Sequence, residues 1–86
     1  MRLILTERFQ RAYRSLSTED RKRVQKALRL MAEDLRYPGL RVKRVQGTTG
    51  IWEARASRSI RLTFQVEGTD LILRNVGHHD DALRKP

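Results

Sequence analysis

Residues 60–76, with the sequence IRLTFQVEGTDLILRNV, decide the fold. Apolar and polar residues alternate from 60 to 67, which is the period of a strand that buries one face. The buried face would carry Ile60, Leu62, Phe64 and Val66, opposite Arg61, Thr63, Gln65 and Glu67. Gly68 and Thr69 predict a tight turn into a second strand at residues 71–76. The stretch therefore predicts an antiparallel hairpin with one apolar face.

The segments before this hairpin extend it into a sheet. Trp52, Ala54 and Ala56 alternate with polar residues, which predicts a strand with its own buried face. Residues 46–50 (QGTTG) form a glycine-bounded turn, and residues 40–43 (LRVK) alternate as a further strand. We therefore expect four strands in the second half of the chain.

The first half of the chain has the period of helices. After a short strand at residues 3–5 (LIL), apolar residues at 9, 12, 13 and 16 predict a short amphipathic helix that begins near Thr6. Ser17 and Asp20 have capping-box spacing and predict the start of a second helix, with apolar residues at 24, 28, 31 and 35. Pro38 and Gly39 predict its end, because proline cannot donate a backbone hydrogen bond.

Together these elements predict a single α+β domain over residues 1–86, in the order β-α-α-β-β-β-β. The N-terminal strand and the helix hairpin would pack on a four-stranded, mainly antiparallel sheet. With 38% hydrophobic residues, the chain has enough apolar surface for one modest core and no second domain. The sequence contains no cysteine, which excludes disulfides and thiolate metal sites.

The N-terminal stretch MRLILTE loses its apolar character within a few positions, so it predicts no signal peptide. No stretch approaches the length of a membrane span. Together with the absence of cysteine, these features predict a cytoplasmic protein.

Charge is the first indication of function. Lys and Arg number 19 against 10 Asp and Glu, a net charge of +9. Between residues 36 and 61 the cations dominate, and Glu53 is the only acid. Those cations are Arg36, Arg41, Lys43, Arg44, Arg55, Arg58 and Arg61. Such an excess favours a polyanionic partner: nucleic acid, an acidic membrane surface or an acidic protein segment.

Several motifs, taken in order, resemble the RelE/ParE toxin superfamily. They are a basic helix hairpin that ends at Pro38 and Gly39, Gly-Ile-Trp-x-x-Arg at 50–55, Ile-Arg-Leu-Thr-Phe at 60–64 and Val-Gly-x-His-Asp at 76–80. The resemblance covers essentially the whole chain and implies a RelE-like fold. It also implies a toxin whose partner is a cognate antitoxin protein. RelE-like members cleave mRNA, typically on the ribosome, whereas ParE-like members share the fold, inhibit DNA gyrase and lack the ribonuclease residues.

Cleavage of RNA without a metal or other cofactor requires a base for the 2′-OH, cations for the developing charge and an acid for the leaving 5′-oxygen. Arg61 matches the arginine with which RelE-type nucleases hold the scissile phosphate. Glu53 and Arg55 share the polar face of the neighbouring strand, where the best-known ribosome-dependent members have lysines. Glu53 is therefore either the general base or a salt-bridge partner that orients Arg55 and Arg61.

His79 matches the residue that some RelE relatives use as the general acid, and imidazole titrates near neutral pH. Asp80 would orient it. The alternative for the His-His-Asp cluster is a metal site or a polar turn. His78 and His79 would point to opposite faces of an extended segment, which argues against a site with two histidine ligands. Leu83 stands where many nuclease members have a stacking aromatic, and the three residues after it predict no long C-terminal helix.

The remaining candidate residues are cations expected to bind the RNA or ribosomal RNA backbone: Arg41, Lys43, Arg44 and Arg74. Stacking on a base would fall to Tyr37 or Trp52, although the alternation around Trp52 favours the core. Two rival functions stay open. A ParE-like gyrase inhibitor needs neither Glu53 nor His79, and a non-catalytic nucleic-acid-binding module would keep only the basic residues.

Overall fold

The computed structural model describes residues 1–86. Its strands are β1 (Arg2–Leu5), β2 (Lys43–Arg44), β3 (Trp52–Arg55), β4 (Ile60–Glu67) and β5 (Asp70–His78). Its helices are α1 (Glu7–Arg14), α2 (Thr18–Glu33) and α3 (His79–Arg84), with a 3₁₀ turn at Pro38–Leu40. The predicted α+β class is confirmed. No helix combines the length and the apolar character needed to cross a membrane.

Both predicted helix starts are confirmed by their capping hydrogen bonds. The Thr6 hydroxyl accepts a hydrogen bond from the Phe9 amide at 3.1 Å. The Ser17 hydroxyl accepts one from the Asp20 amide, also at 3.1 Å. Each cap satisfies an amide that has no partner within its helix, which typically stabilises a protein by about 1 kcal/mol.

The second helix ends before Pro38, the residue at which its end was predicted. Its last residue is Glu33, and Asp34 is the C-cap. The Asp34 carboxylate accepts a hydrogen bond from the Arg36 amide at 2.9 Å. Aspartate competes in this way with the helical hydrogen-bond pattern, and Pro38 instead begins the 3₁₀ turn.

The sheet has five strands in the order β1-β5-β4-β3-β2. The predicted antiparallel pairing of the four later strands is confirmed: β2 pairs with β3, β3 with β4, and β4 with β5. The expectation that the N-terminal strand lies outside a four-stranded sheet is wrong, because β1 pairs in parallel with β5 and forms an edge. Pairing with β5 satisfies backbone groups of β1 that would otherwise lack partners.

The hairpin from β4 to β5 contains an irregularity that alternation did not predict. Thr63 pairs with Asn75 and Phe64 with Leu73, so Arg74 is an extra residue in β5. A bulge of this kind shifts the side-chain alternation by one residue. Leu73 and Val76 can therefore both be buried in the core.

The prediction of a strand at residues 40–43 is wrong for residues 40–42, and only Lys43 lies in a strand. Leu40 belongs to the 3₁₀ turn and is buried. Arg41 has a positive φ of 46°. A left-handed residue cannot continue an extended strand, so β2 begins only at Lys43.

The core lies between the sheet and the two long helices. Its buried members are Phe9, Val24, Ala27, Met31, Leu40, Ala54, Ile60, Leu62, Phe64, Leu71, Leu73 and Val76. The apolar faces predicted for α1, α2, β3 and β4 meet there. Val66 is the exception, because it lies near the end of the hairpin and is exposed.

The opposite, polar face of the sheet is partly covered by α3. Ala82 of this helix is fully buried, and Thr63 of β4 donates to the Pro86 carbonyl oxygen at 3.0 Å. The expectation of an extended segment through His79 is wrong, because His79 is the first residue of α3. A helix of six residues is too short to produce a recognisable apolar period.

Candidate active site

The candidate residues meet where β2, β3 and β4 lie side by side. Glu53 pairs with Lys43 of β2 on one side and with Thr63 of β4 on the other. Arg55 pairs with Arg61 in the next row. Because directly paired residues project from the same face of a sheet, this register gathers these side chains on the polar face.

The two arginines converge on the turn between β3 and β4. Arg61 Nη1 donates to the Ser57 carbonyl oxygen at 2.9 Å, and Arg55 Nε donates to the same oxygen at 3.3 Å. The pKa of Arg61 is lowered, first by burial and then by the neighbouring charge of Arg55, while Glu53 acts in the opposite direction. Arginine nevertheless stays protonated, so the pair forms a fixed positive site that an anion would stabilise.

Glu53 lies against this pair without a firm bond to it. Its Oε1 is 3.7 Å from Arg61 Nε, which is too long for a hydrogen bond. Only 6% of its side chain is exposed, yet it accepts no hydrogen bond from the protein, and its oxygens are not fully sealed from solvent. Buried carboxylates normally have such partners, so this one retains free acceptor capacity.

A cleft of about 340 Å³ lies above Glu53. Its lining residues are Lys43, Arg44, Val45, Gln46, Glu53 and Leu83. The volume falls within the range of small-ligand pockets, about 300–1,000 Å³. Leu83 belongs to α3, so the position of this short helix determines how a ligand reaches the carboxylate. No group of three or more His, Cys, Asp or Glu side chains is arranged to hold a metal ion.

His79 is joined to the arginine pair through the same turn. Its backbone amide donates to the Ser59 carbonyl oxygen at 2.8 Å, two residues from the carbonyl that binds the arginines. Its Nδ1 lies 3.1 Å from Asp80 Oδ1, and the imidazole is half exposed. His78 instead lines a separate cavity of about 320 Å³ beside the α1–α2 turn.

The other candidate cations are more dispersed. Arg41 lies near enough to Arg61 for its charge to contribute to the lowered pKa of that arginine. Arg44 pairs with Trp52, and its guanidinium lies 5.3 Å from the centre of that ring, on the face opposite Lys43. Trp52 is thus covered by Arg44 and packed against the core, which leaves little of it for stacking.

Arg74 is also set apart from the Arg55–Arg61 pair. It donates to Gln65 Oε1 at 2.5 Å and to the Pro86 carbonyl oxygen at 3.1 Å. Gln65 lies four residues from Arg61 along β4, which corresponds to about 13 Å at 3.3 Å per residue. The structure therefore gathers Lys43, Glu53, Arg55 and Arg61 in one place and puts Arg74 in another.

Three contributors to this site were not predicted from the sequence. Ser57 and Ser59 act through backbone carbonyl oxygens, for which a sequence carries no signal. Thr63 is fully buried beneath the C-terminal residues. Its position two residues after Arg61, on the predicted polar face, was the one available indication.

Comparison with solved structures shows which fold this is. One chain of the intact Escherichia coli RelBE toxin–antitoxin complex matches with a TM-score of 0.70 and 22% identity, over 91% of this chain and 95% of that chain. A chain of the RelB–RelE antitoxin–toxin complex from Methanococcus jannaschii matches with a TM-score of 0.74 and 19% identity, over 91% and 92%. YafQ from E. coli matches with a TM-score of 0.80 and 13% identity, over 94% and 97%.

The predicted RelE-like fold is therefore confirmed. No protein-family model matches the sequence, and no curated protein is significantly similar to it.

Proposed function

We propose that this chain is the toxin of a toxin–antitoxin pair and an endoribonuclease that cleaves mRNA on the ribosome. The observation that carries the proposal is Glu53: a nearly buried carboxylate without a hydrogen bond, at the base of a cleft and beside two arginines. A purely structural ion pair would be expected to have closer geometry and hydrogen-bonded oxygens.

The arginine pair is the proposed site of the scissile phosphate. Arg55 and Arg61 are held close together by the Ser57 carbonyl oxygen, so their positions are fixed before the substrate arrives. Guanidinium groups match the geometry of phosphate oxygens, and preorganised cations stabilise the extra negative charge of the transition state.

Glu53 is the proposed general base. It removes the proton of the 2′-OH, whose oxygen attacks the adjacent phosphorus, forms a 2′,3′-cyclic phosphate and displaces the 5′-oxygen of the next nucleotide. No metal takes part in this step. The alternative role, an ion pair that only orients Arg61, is less well supported because the two groups are 3.7 Å apart.

His79 is the proposed general acid, which gives its proton to the leaving 5′-oxygen. Its backbone is held by the turn that binds the arginines, and Asp80 lies within hydrogen-bond distance of its imidazole. An exposed imidazole can recover its proton from solvent after each turnover, which suits this role.

The partners would be RNA and an acidic protein segment. Lys43 and Arg41 extend the positive surface around the arginine pair, and Arg44 adds a cation at the edge of the sheet. A cognate antitoxin would neutralise this surface with acidic residues. Two of the similar structures are toxin–antitoxin complexes, which supports a partner of this kind.

The proposal is tested by inducing the chain in growing cells and mapping mRNA ends by primer extension. We expect growth arrest accompanied by new 5′ ends inside coding regions, and loss of both effects in Arg61→Ala. Growth arrest with intact mRNA, or cleavage that Arg61→Ala leaves unchanged, would contradict it.

A further inference from the structure

A second group of cations lies at the other end of the polar face from the Arg55–Arg61 pair. Arg8 of α1 and Arg74 of β5 line a cavity of about 160 Å³, together with Thr6. The separation of about 13 Å along β4 between Arg61 and the partner of Arg74, Gln65, is too large for one phosphate group to bridge. Any anion bound at Arg8 and Arg74 is therefore distinct from the scissile phosphate.

The side chains around this cavity already bind two consecutive oxygen atoms. The Lys85 carbonyl oxygen accepts hydrogen bonds from Asn75 Nδ2 at 3.2 Å and from Arg8. The Pro86 carbonyl oxygen accepts them from Thr63 Oγ1 at 3.0 Å and from Arg74 Nε at 3.1 Å. Donors from α1, β4 and β5 thus converge on one small region that binds oxygen acceptors.

No acidic side chain pairs with Arg8 or Arg74, and the negative group nearest to Arg74 is the main-chain oxygen of the last residue, Pro86. By contrast, Arg2 and Arg36 are each paired with an aspartate. A guanidinium has five N–H donors, so both Arg8 and Arg74 keep donors free after the contacts described above.

We propose that Arg8 and Arg74, with Asn75 beside them, form a second phosphate-binding site, which takes a backbone phosphate of the RNA other than the one at the cleaved bond. This inference rests on the proposed function, because its ligand is the same RNA strand. Two phosphate sites on one face fix the path of the strand across Glu53, and they do so without reading any base. The Lys85 and Pro86 carbonyl oxygens hold the donors in place when RNA is absent.

The test measures binding of a fluorescent 2′-O-methyl RNA oligonucleotide by anisotropy over a range of salt concentrations. This RNA lacks the attacking 2′-OH, so binding is measured without cleavage. Each phosphate contact with a single strand contributes about 0.7 to the slope of log affinity against log salt. Because the proposed site holds one phosphate, we expect the slope to fall by about 0.7 in the double variant Arg8→Ala/Arg74→Ala.

The matched control is Arg11→Ala/Arg29→Ala, which removes the same charge from exposed positions on α1 and α2. Its slope should stay close to the wild-type value, and Arg8→Lys/Arg74→Lys should recover most of the binding. Equal losses in the two alanine variants would overturn the inference, because only the general field of the protein would then be involved.

A second measurement uses the wild-type protein and does not depend on how the variants fold. The side-chain Nε–Hε NMR signals of Arg8 and Arg74 should shift when the oligonucleotide is added. Unshifted signals during saturable binding would overturn the inference. Poly-glutamate that shifts these signals when RNA does not would assign the site to an acidic protein instead.

These outcomes are separable from failure of the proposed function. A wild-type protein that binds the oligonucleotide through Arg8 and Arg74 but cuts no mRNA contradicts the nuclease alone. A protein that cuts mRNA but shows equal slopes in both alanine variants contradicts the second phosphate site alone. Absence of any RNA binding contradicts both.

Discussion

Glu53 combines near-complete burial with the absence of a hydrogen-bonded partner. Burying a carboxylate is costly unless nearby positive charges compensate for its lost hydration. Arg61 compensates from 3.7 Å, and Lys43 is its direct neighbour on β2. A residue in this state has the free acceptor capacity that a general base needs.

Glu53→Gln is expected to lower the rate of mRNA cleavage by about 10²- to 10⁴-fold, the usual contribution of general acid–base catalysis. The substitution keeps the size of the side chain and removes only a long ion pair, so the melting temperature should change little. Single-turnover cleavage on translating ribosomes gives the rate. Glu67→Gln, at the exposed end of β4, is the matched control. An unchanged rate in Glu53→Gln would leave Glu53 as an ion-pair partner only.

His79→Ala is expected to abolish toxicity without unfolding the protein, whereas His78→Ala should have a much smaller effect. His79 begins α3 beside the arginine turn, and His78 lines a separate cavity beside the α1–α2 turn. Growth after induction, primer extension and circular dichroism test this. Full toxicity of His79→Ala would remove the proposed acid.

Strand alternation was sufficient to predict which residues share a face of the sheet at this site. It placed Glu53, Arg55 and Arg61 on one polar face, and the register of β3 and β4 gives that arrangement. Alternation could not predict that Ser57 contributes its carbonyl oxygen, because every residue has one. It also could not predict that the Arg44 guanidinium lies over the Trp52 ring.

At the scale of elements, the fold depends on how β1 and α1 are joined to the rest of the sheet. Thr6 contributes twice at this junction. Its hydroxyl caps α1 at the Phe9 amide and donates to the Leu73 carbonyl oxygen of β5 at 2.8 Å. One side chain therefore fixes the start of the helix and the end of the edge strand.

Thr6→Ala is expected to lower the free energy of unfolding by about 1–2 kcal/mol, since it removes a helix cap and a partly buried hydrogen bond. Urea denaturation followed by circular dichroism measures the change. Thr49→Ala, in the exposed loop before β3, is the control and should change stability by less than about 0.5 kcal/mol. Equal effects of the two substitutions would show that the Thr6 hydrogen bonds add no net stability.

Elements with a clear period were predicted well, whereas β2 and α3 were not. In α2 and β4 the apolar residues recur with a regular period, and burying them on one face requires a helix and a strand respectively. The β2 strand has two residues and α3 has six, so neither is long enough to show a period. Their positions follow from tertiary contacts: the left-handed Arg41 before β2 and the buried Ala82 within α3.

At the scale of the whole molecule, the net charge of +9 would attract RNA before any specific contact forms. Attraction to a polyanion is weakened by salt because each phosphate contact releases counterions. The composition alone indicated this class of partner. It could not show that Lys43 lies on the same face as Glu53, which depends on the pairing of β2 with β3.

Lys43→Ala is expected to reduce the salt slope of single-stranded RNA binding by about 0.7, the value for one lost phosphate contact. Lys22→Ala, on the exposed surface of α2, removes the same charge and should leave the slope almost unchanged. Anisotropy titrations over several salt concentrations test this. The same slope in both variants would exclude a direct phosphate contact by Lys43.

The central claim, that this fold cleaves mRNA by attack of the 2′-OH, is tested most directly by the chemistry of the cut ends. The purified protein is incubated with translating ribosomes, and the mRNA fragments are analysed by mass spectrometry. Attack by the 2′-OH with Glu53 as base predicts an upstream fragment ending in a 2′,3′-cyclic phosphate or its hydrolysed phosphate, and a downstream fragment with a 5′-OH. Fragments with a 3′-OH and a 5′-phosphate, or mRNA that stays intact, would contradict the account.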